Sequence, residues 1–180
     1  MDNFYECDIA GRKERLPVLQ LPTGVSIAFF NLHGNQDLTE YCGKEIAKRI
    51  SVFSPEVVLT AESKGLQLAH VVARELGHSL YAVARKSQKL YMQDGIKYTV
   101  SSITTKGEQT LYLSKHDVDL LKGKRVAIVD DVISTGGSLQ GLEKLVEMSG
   151  GTTVIKATVL AEGKAAERND IVFLGTIPLF

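Results

Sequence analysis

The chain has 180 residues, enough for one domain with a substantial buried core. Its 21 Lys and Arg balance its 21 Asp and Glu, which argues against a nucleic-acid or membrane-surface partner. A hydrophobic share of 44% with 23% charged residues is ordinary for a globular protein, with no apolar leader and no apolar run of about 18 residues, so a cytoplasmic location is expected. Cys7 and Cys42 lie far apart and His33, His70, His78 and His116 lack zinc-type spacing, so reduced thiols and no zinc site are expected.

From the N-terminus, Phe4–Ala10, Leu16–Leu21 and Val25–Phe30 are short apolar stretches broken by Gly11-Arg12 and Pro22-Thr23-Gly24, and are predicted as strands. Asp37 with Glu40 has the form of a capping box, and Leu38, Cys42, Ile46 and Ile50 place an apolar stripe on the helix that follows. Val57–Ala61 reads as a buried strand, Glu62–Gly65 as a loop and Leu66–Leu76 as a helix closed by Gly77. Leu80–Ala84 is the next strand. Residues 85–110 turn polar, with Tyr98–Ile103 and Gln109–Leu113 able to pair around Lys106-Gly107. Strands are predicted again at Val154–Leu160 and Ile171–Leu174. Strands alternating with helices argue a single-domain α/β fold around a mostly parallel sheet flanked by helices. In such sheets ligands sit at the carboxyl ends of the strands.

The most informative stretch is Val126–Ser138, VAIVDDVISTGGS. Val126–Val129 has no polar face, as a strand buried on both sides requires. It ends in Asp130 and Asp131, and a loop of Ser134, Thr135, Gly136, Gly137 and Ser138 leads into a helix that runs to Gly150-Gly151. Backbone N–H groups beside a helix N-terminus, with three hydroxyls and two glycines, suit a phosphate. Paired acids beside a phosphate site suit a sugar diol, so the pattern points to a phosphorylated ribose with magnesium offsetting the charge. A Walker B strand also ends in acids, but the chain has no G-x-x-x-x-G-K-[ST] loop. Receiver-type acid pockets lack the Thr-Gly-Gly-Ser loop.

VAIVDDVISTGGS resembles the phosphoribosyl-pyrophosphate signature of the type I phosphoribosyltransferases, and the order of the remaining segments is similar to the purine enzymes of that family. The resemblance implies Asp130 and Asp131 as the catalytic pair and Ser134, Thr135, Gly136, Gly137 and Ser138 as the 5′-phosphate loop. Ala61-Glu62-Ser63-Lys64-Gly65 is similar to the pyrophosphate loop, implying Ser63, Lys64 and Gly65 as pyrophosphate ligands, with a cis or strained peptide near Ser63–Lys64. Arg85, Lys86 and Lys89 are expected to reach the same pyrophosphate; a solvated charged edge is the other reading. Residues 1–36 resemble a small hood over the base. Phe29, Phe30 and Asn31 are its base-binding candidates, beside the alternative of two core phenylalanines and a loop asparagine.

Residues 86–110 resemble the mobile loop that excludes water from the reaction. The overall length, the Glu-Ser-Lys-Gly loop with Arg85-Lys86, and the terminal Ile177-Pro178-Leu179-Phe180 look closest to adenine phosphoribosyltransferases. Val100–Thr105, VSSITT, looks more like the xanthine enzymes. The substrates implied are phosphoribosyl pyrophosphate and a purine base, with Mg2+ carried by the former, no direct protein metal site, and a homodimer. A non-catalytic regulator sensing phosphoribosyl pyrophosphate is the other class. Fewer than forty residues before the first helix, too few for a winged-helix module, and zero net charge argue against it.

Overall fold

The structure, a computed structural model, describes residues 3–101 and 108–180. In chain order it contains β1 (Phe4–Ile9), β2 (Arg12–Gln20), β3 (Ser26–Ala28), α1 (Gln36–Ile50), β4 (Val57–Ala61), α2 (Leu66–Glu75) and β5 (Ala82–Ala84). There follow β6 (Ile96–Ser101), β7 (Glu108–Leu113), α3 (Lys115–Leu121), β8 (Arg125–Ile133), α4 (Gly137–Met148), β9 (Thr152–Glu162) and β10 (Ile171–Ile177). Short 3-10 turns lie at Ser51–Phe53 and Gly163–Glu167.

The central sheet has the order β10-β9-β8-β4-β5, and every neighbouring pair is parallel. Alternation along each strand splits the core in two. Val58, Ala127, Val129, Ala157 and Val159 pack with α1, α2 and the N-terminal strands, whereas Val57, Leu59, Val126 and Ile128 pack with α3, α4 and β7. Each large aliphatic side chain buried this way contributes roughly 1.5–3 kcal/mol before entropy is subtracted.

The order β1-β2-β3 forms a separate antiparallel sheet over one end of this frame. It is fastened by the Ala10 N–H donating to the Leu174 carbonyl over 3.0 Å and the Tyr41 hydroxyl donating to the Ala10 carbonyl over 2.7 Å. Gly175 lets the backbones touch here, since a Cβ on it would lie 2.2 Å from the Asp8 carbonyl oxygen. Cys7 on β1 and Cys42 on α1 are buried free thiols in the same core. Burial first, then nearby carboxylates, pushes the Cys7 thiol up to about 11, and burial pushes Cys42 up to about 12.

Several boundaries differ from the sequence reading. The cap of α1 is Asn35, whose side chain accepts from the Leu38 N–H, while Asp37 pairs with Arg12 at 2.8 Å. β2 already begins at Arg12, because its polar residues face solvent across a half-exposed sheet. β5 begins at Ala82, and Leu80 stays outside it, exposed. β8 continues through both acids to Ile133, because β9 pairs with it along that length. The short helix α3 was not foreseen; Ser114 caps it by accepting from the Asp117 N–H.

β6 and β7 pair as an antiparallel hairpin that packs on α4, where a Cβ on Gly141 would lie 2.8 Å from Val100 and 3.1 Å from Leu111. Arg85 and Tyr112 exchange backbone hydrogen bonds of 2.8 and 2.9 Å, tying the hairpin to the end of β5. Of the segment expected to be mobile, Met92 and Val100 are buried, and residues 102–107, including most of VSSITT, lie outside the described residues.

Candidate active site

The carboxyl ends of β8, β4 and β5 are adjacent in the sheet, and each carries a candidate segment. β8 holds Asp130 and Asp131 before its last two residues. The Asp131 N–H donates to Asp130 Oδ1 over 2.9 Å. Asp131 is buried by surface area. The Asp130 side chain keeps a partly open surface. Burial, followed by the charge of Asp131, still pushes its carboxyl up to about 7. An acid pair placed this way repels a second negative charge and favours hydroxyl donors or a developing positive charge.

Ser134–Ser138 then turn into α4. Gly136 caps the helix at φ 82°, a left-handed conformation that glycine adopts without strain, and no side chain caps the helix. The first N–H groups of α4 therefore face the loop, where a cavity of about 150 Å³ is lined by Asp130, Ser134–Ser138 and Leu139. Ser138 Oγ donates to Gln109 Oε1 of β7 over 3.2 Å.

The second loop, Glu62–Gly65, leaves β4 and opens α2, whose cap Gly65 also provides no side-chain hydrogen bond. Its cis peptide is Glu62–Ser63, one bond earlier than the expected Ser63–Lys64. The Glu62 carboxylate accepts from the Lys86 N–H over 2.7 Å and from Arg85 Nη1 over 3.1 Å, joining this loop to the segment after β5. Burial acts to raise the Glu62 pKa, but those two donors outweigh it and hold the carboxyl below its usual value. Lys64 Nζ sits 5.3 Å from the centre of the Phe29 ring, a cation–π contact that brings the N-terminal sheet to this loop.

The other candidates divide. Lys86 and Lys89 are exposed, and Arg85 is half-buried against Glu62. Phe30 turns into the core at 3% exposure, leaving Phe29 as the aromatic beside the loop. Asn31 Oδ1 accepts from the His33 N–H over 3.2 Å. A larger cavity of about 720 Å³ opens between the first turns of α1 and the length of α2, beside His33, Gln67, His70 and Tyr81; none of the candidate residues lines it.

The sequence reading missed Glu62 as the clamp between two loops, Gln109 as the partner of Ser138, and Thr60. Thr60 carried a signal: it is the one polar residue in a strand otherwise apolar. Among the described residues no group of three or more His, Cys, Asp or Glu converges to hold a metal ion, and no helix is long and apolar enough to cross a membrane. The acid pair and hydroxyls are hard oxygen donors, too few for a protein cage around magnesium, which suits an ion held mainly by the oxygens of a bound phosphate.

Comparison with known proteins gives a consistent pattern. The family described as "Phosphoribosyl transferase domain" matches residues 31–177. A xanthine phosphoribosyltransferase of Bacillus mycoides is 36% identical over 124 residues, 68% of this chain and 61% of that protein. The chain thus spans about three fifths of that relative's length. An adenine phosphoribosyltransferase of Brachyspira hyodysenteriae is 32% identical over 120 residues, covering 67% of each chain. Among solved structures, the adenine phosphoribosyltransferase of Thermoanaerobacter pseudethanolicus superposes with a TM-score of 0.71 at 25% identity, over 84% of this chain and 89% of that one.

Proposed function

The chain belongs to the phosphoribosyl transferase domain family, and on that premise we propose that it is a purine phosphoribosyltransferase acting on adenine, forming AMP and pyrophosphate from adenine and phosphoribosyl pyrophosphate. The observation that carries this reading is the meeting, at one end of the sheet, of the Asp130–Asp131 pair with the uncapped starts of α4 and α2.

In this reading the backbone N–H groups and hydroxyls of Ser134–Ser138 hold the 5′-phosphate. Asp130 and Asp131 accept from the ribose hydroxyls and favour the positive charge that develops on the ring. Ser63, Lys64, Gly65, Arg85, Lys86 and Lys89 receive the pyrophosphate, with Glu62 keeping the two basic segments in register. A purine ring nitrogen bonds to the anomeric carbon as the bond from that carbon to the pyrophosphate oxygen breaks; the electron pair leaves on pyrophosphate, and the ring N–H proton passes to the leaving pyrophosphate or to solvent. Magnesium carried by the substrate would supply positive charge to the leaving pyrophosphate, next to Lys64, Arg85, Lys86 and Lys89. In this reading Phe29 and Asn31 take the base, a role that the contact of Phe29 with Lys64 supports, while Phe30 is buried in the core.

The reading treats 1–180 as one domain, with 1–36 as hood and 86–110 as the segment that covers the site. It includes a homodimer, which sedimentation at assay concentration checks. A cytoplasmic place suits phosphorylated substrates.

A second reading, xanthine or another 6-oxopurine as the base, is supported by the Bacillus mycoides relative. Pyrophosphate release with phosphoribosyl pyrophosphate and magnesium, run in parallel on adenine, guanine, hypoxanthine and xanthine, decides between them. Binding of phosphoribosyl pyrophosphate with no base turned over would replace both with a sensing role.

A further inference from the structure

Thr60 is fully buried in β4, and among the described residues no group pairs with its hydroxyl. A buried hydroxyl without a partner is costly, and valine, of nearly the same shape, would avoid the cost. The hydroxyl faces the underside of the Glu62–Gly65 loop. A Cβ placed on Gly65 would lie 2.3 Å from Thr60 Oγ1, 3.4 Å from Asp130 Oδ1 and 3.5 Å from the Ala61 carbonyl oxygen. The bare Cα of Gly65 thus lets the loop seat closely against Thr60 Oγ1, with Asp130 Oδ1 of the neighbouring strand β8 beside the same point.

We infer that Thr60 is a positioning residue for Asp130: with phosphoribosyl pyrophosphate bound, its hydroxyl donates to the Asp130 carboxylate, directly or across one water, and holds it ionised to accept from the ribose. This rests on the proposed role of Asp130. Among the described residues, the charged groups acting on that carboxyl are Asp131 on its own strand and Lys86 after β5; Glu62 and Lys64 belong to the adjacent loop. Glu62 is engaged by Arg85 and the Lys86 N–H, and Lys64 lies over Phe29. Burial and the charge of Asp131 raise the Asp130 pKa, and a donor to its carboxylate acts in the opposite direction.

The test is calorimetric binding of magnesium phosphoribosyl pyrophosphate from about pH 5.5 to about pH 8.5 for wild type, Thr60→Val and Thr60→Ser, with thermal melts to check folding. The expected result is an acidic limb moved up by about half a pH unit or more in Thr60→Val, about threefold weaker binding on that limb, and the wild-type limb in Thr60→Ser. A folded Thr60→Val with an unmoved limb overturns the inference. Should that variant not fold, Thr60→Ala carries the same comparison. Wild type that binds but turns over no base overturns the catalytic reading alone, and the limb still decides Thr60; wild type that does not bind overturns both.

Discussion

Ser138 donates to Gln109 across 3.2 Å, so the first turn of α4 and the hairpin β6–β7 share a hydrogen bond at the mouth of the phosphate-binding candidate. The same hairpin is seated lower on α4 at Gly141, where Val100 and Leu111 close in. In the proposed reading a phosphate entering the loop would compete with Gln109 for the Ser138 hydroxyl, linking ligand binding to the hold on the hairpin.

Gln109→Ala frees Ser138 in advance. The expected outcome is a KM for phosphoribosyl pyrophosphate lowered by about two- to fivefold, the value of one neutral hydrogen bond, and faster amide exchange across Glu108–Leu113. An unchanged KM with unchanged exchange would show that the bond couples nothing.

Asp130 titrates from about 7, above the ordinary carboxyl value of about 4 in an unfolded chain. Between those limits the folded protein keeps a proton that the unfolded chain releases. Its stability contribution is complete below about pH 4 and is lost as pH rises through about 7. Asp130→Asn keeps the acceptor for the Asp131 N–H and removes that loss. At pH 8 it should be more stable than wild type by on the order of 2 kcal/mol while transfer collapses, with the stability difference shrinking towards pH 4. Equal melting at both pH values would contradict the raised pKa.

Asp131→Ala should abolish transfer in a protein that still folds, because the acid lies at the carboxyl end of β8 rather than between packed helices. Turnover near wild type, with native circular dichroism, would remove Asp131 from the site.

How much of this was legible follows from where each residue stands. VAIVDD announced itself because an apolar run cannot end in two acids at the surface of a sheet without a reason. Its further extension to Ile133 was hidden, since only pairing with β9 makes Val132 and Ile133 strand. Asn35 lost to Asp37 in the sequence reading because both are good caps, and the contact of Asp37 with Arg12 on β2 is non-local. α3 is seven residues long, too short for periodicity to reveal it. Phe29 and Phe30 are indistinguishable as letters; the chain beyond β3 turns one to Lys64 and the other to the core. Glu62 reads as ordinary loop chemistry until β5 brings Arg85 beside it.

Lys64→Ala removes the cation nearest the start of α2. The KM for phosphoribosyl pyrophosphate should rise by about tenfold with the KM for base little changed. A change confined to base would assign Lys64, through Phe29, to the hood instead.

Gly65→Ala places a methyl 2.3 Å from Thr60 Oγ1, an over-packing that should cost about 1–3 kcal/mol in urea unfolding. Its other neighbours are at ordinary contact distances, so Thr60→Ala should relieve most of that cost in the double variant. Additive losses would place the strain elsewhere in the loop.

Cys7 and Cys42 give the molecule a pair of internal clocks. Each thiol is sealed and held far from its reactive thiolate form, so an alkylating reagent labels it only when its surroundings open. One sits on the N-terminal sheet and the other on the helix beneath it. Equal labelling rates mean that the two layers part only in global unfolding. A faster Cys7 means that the small sheet lifts by itself, which would measure directly how often it parts from α1.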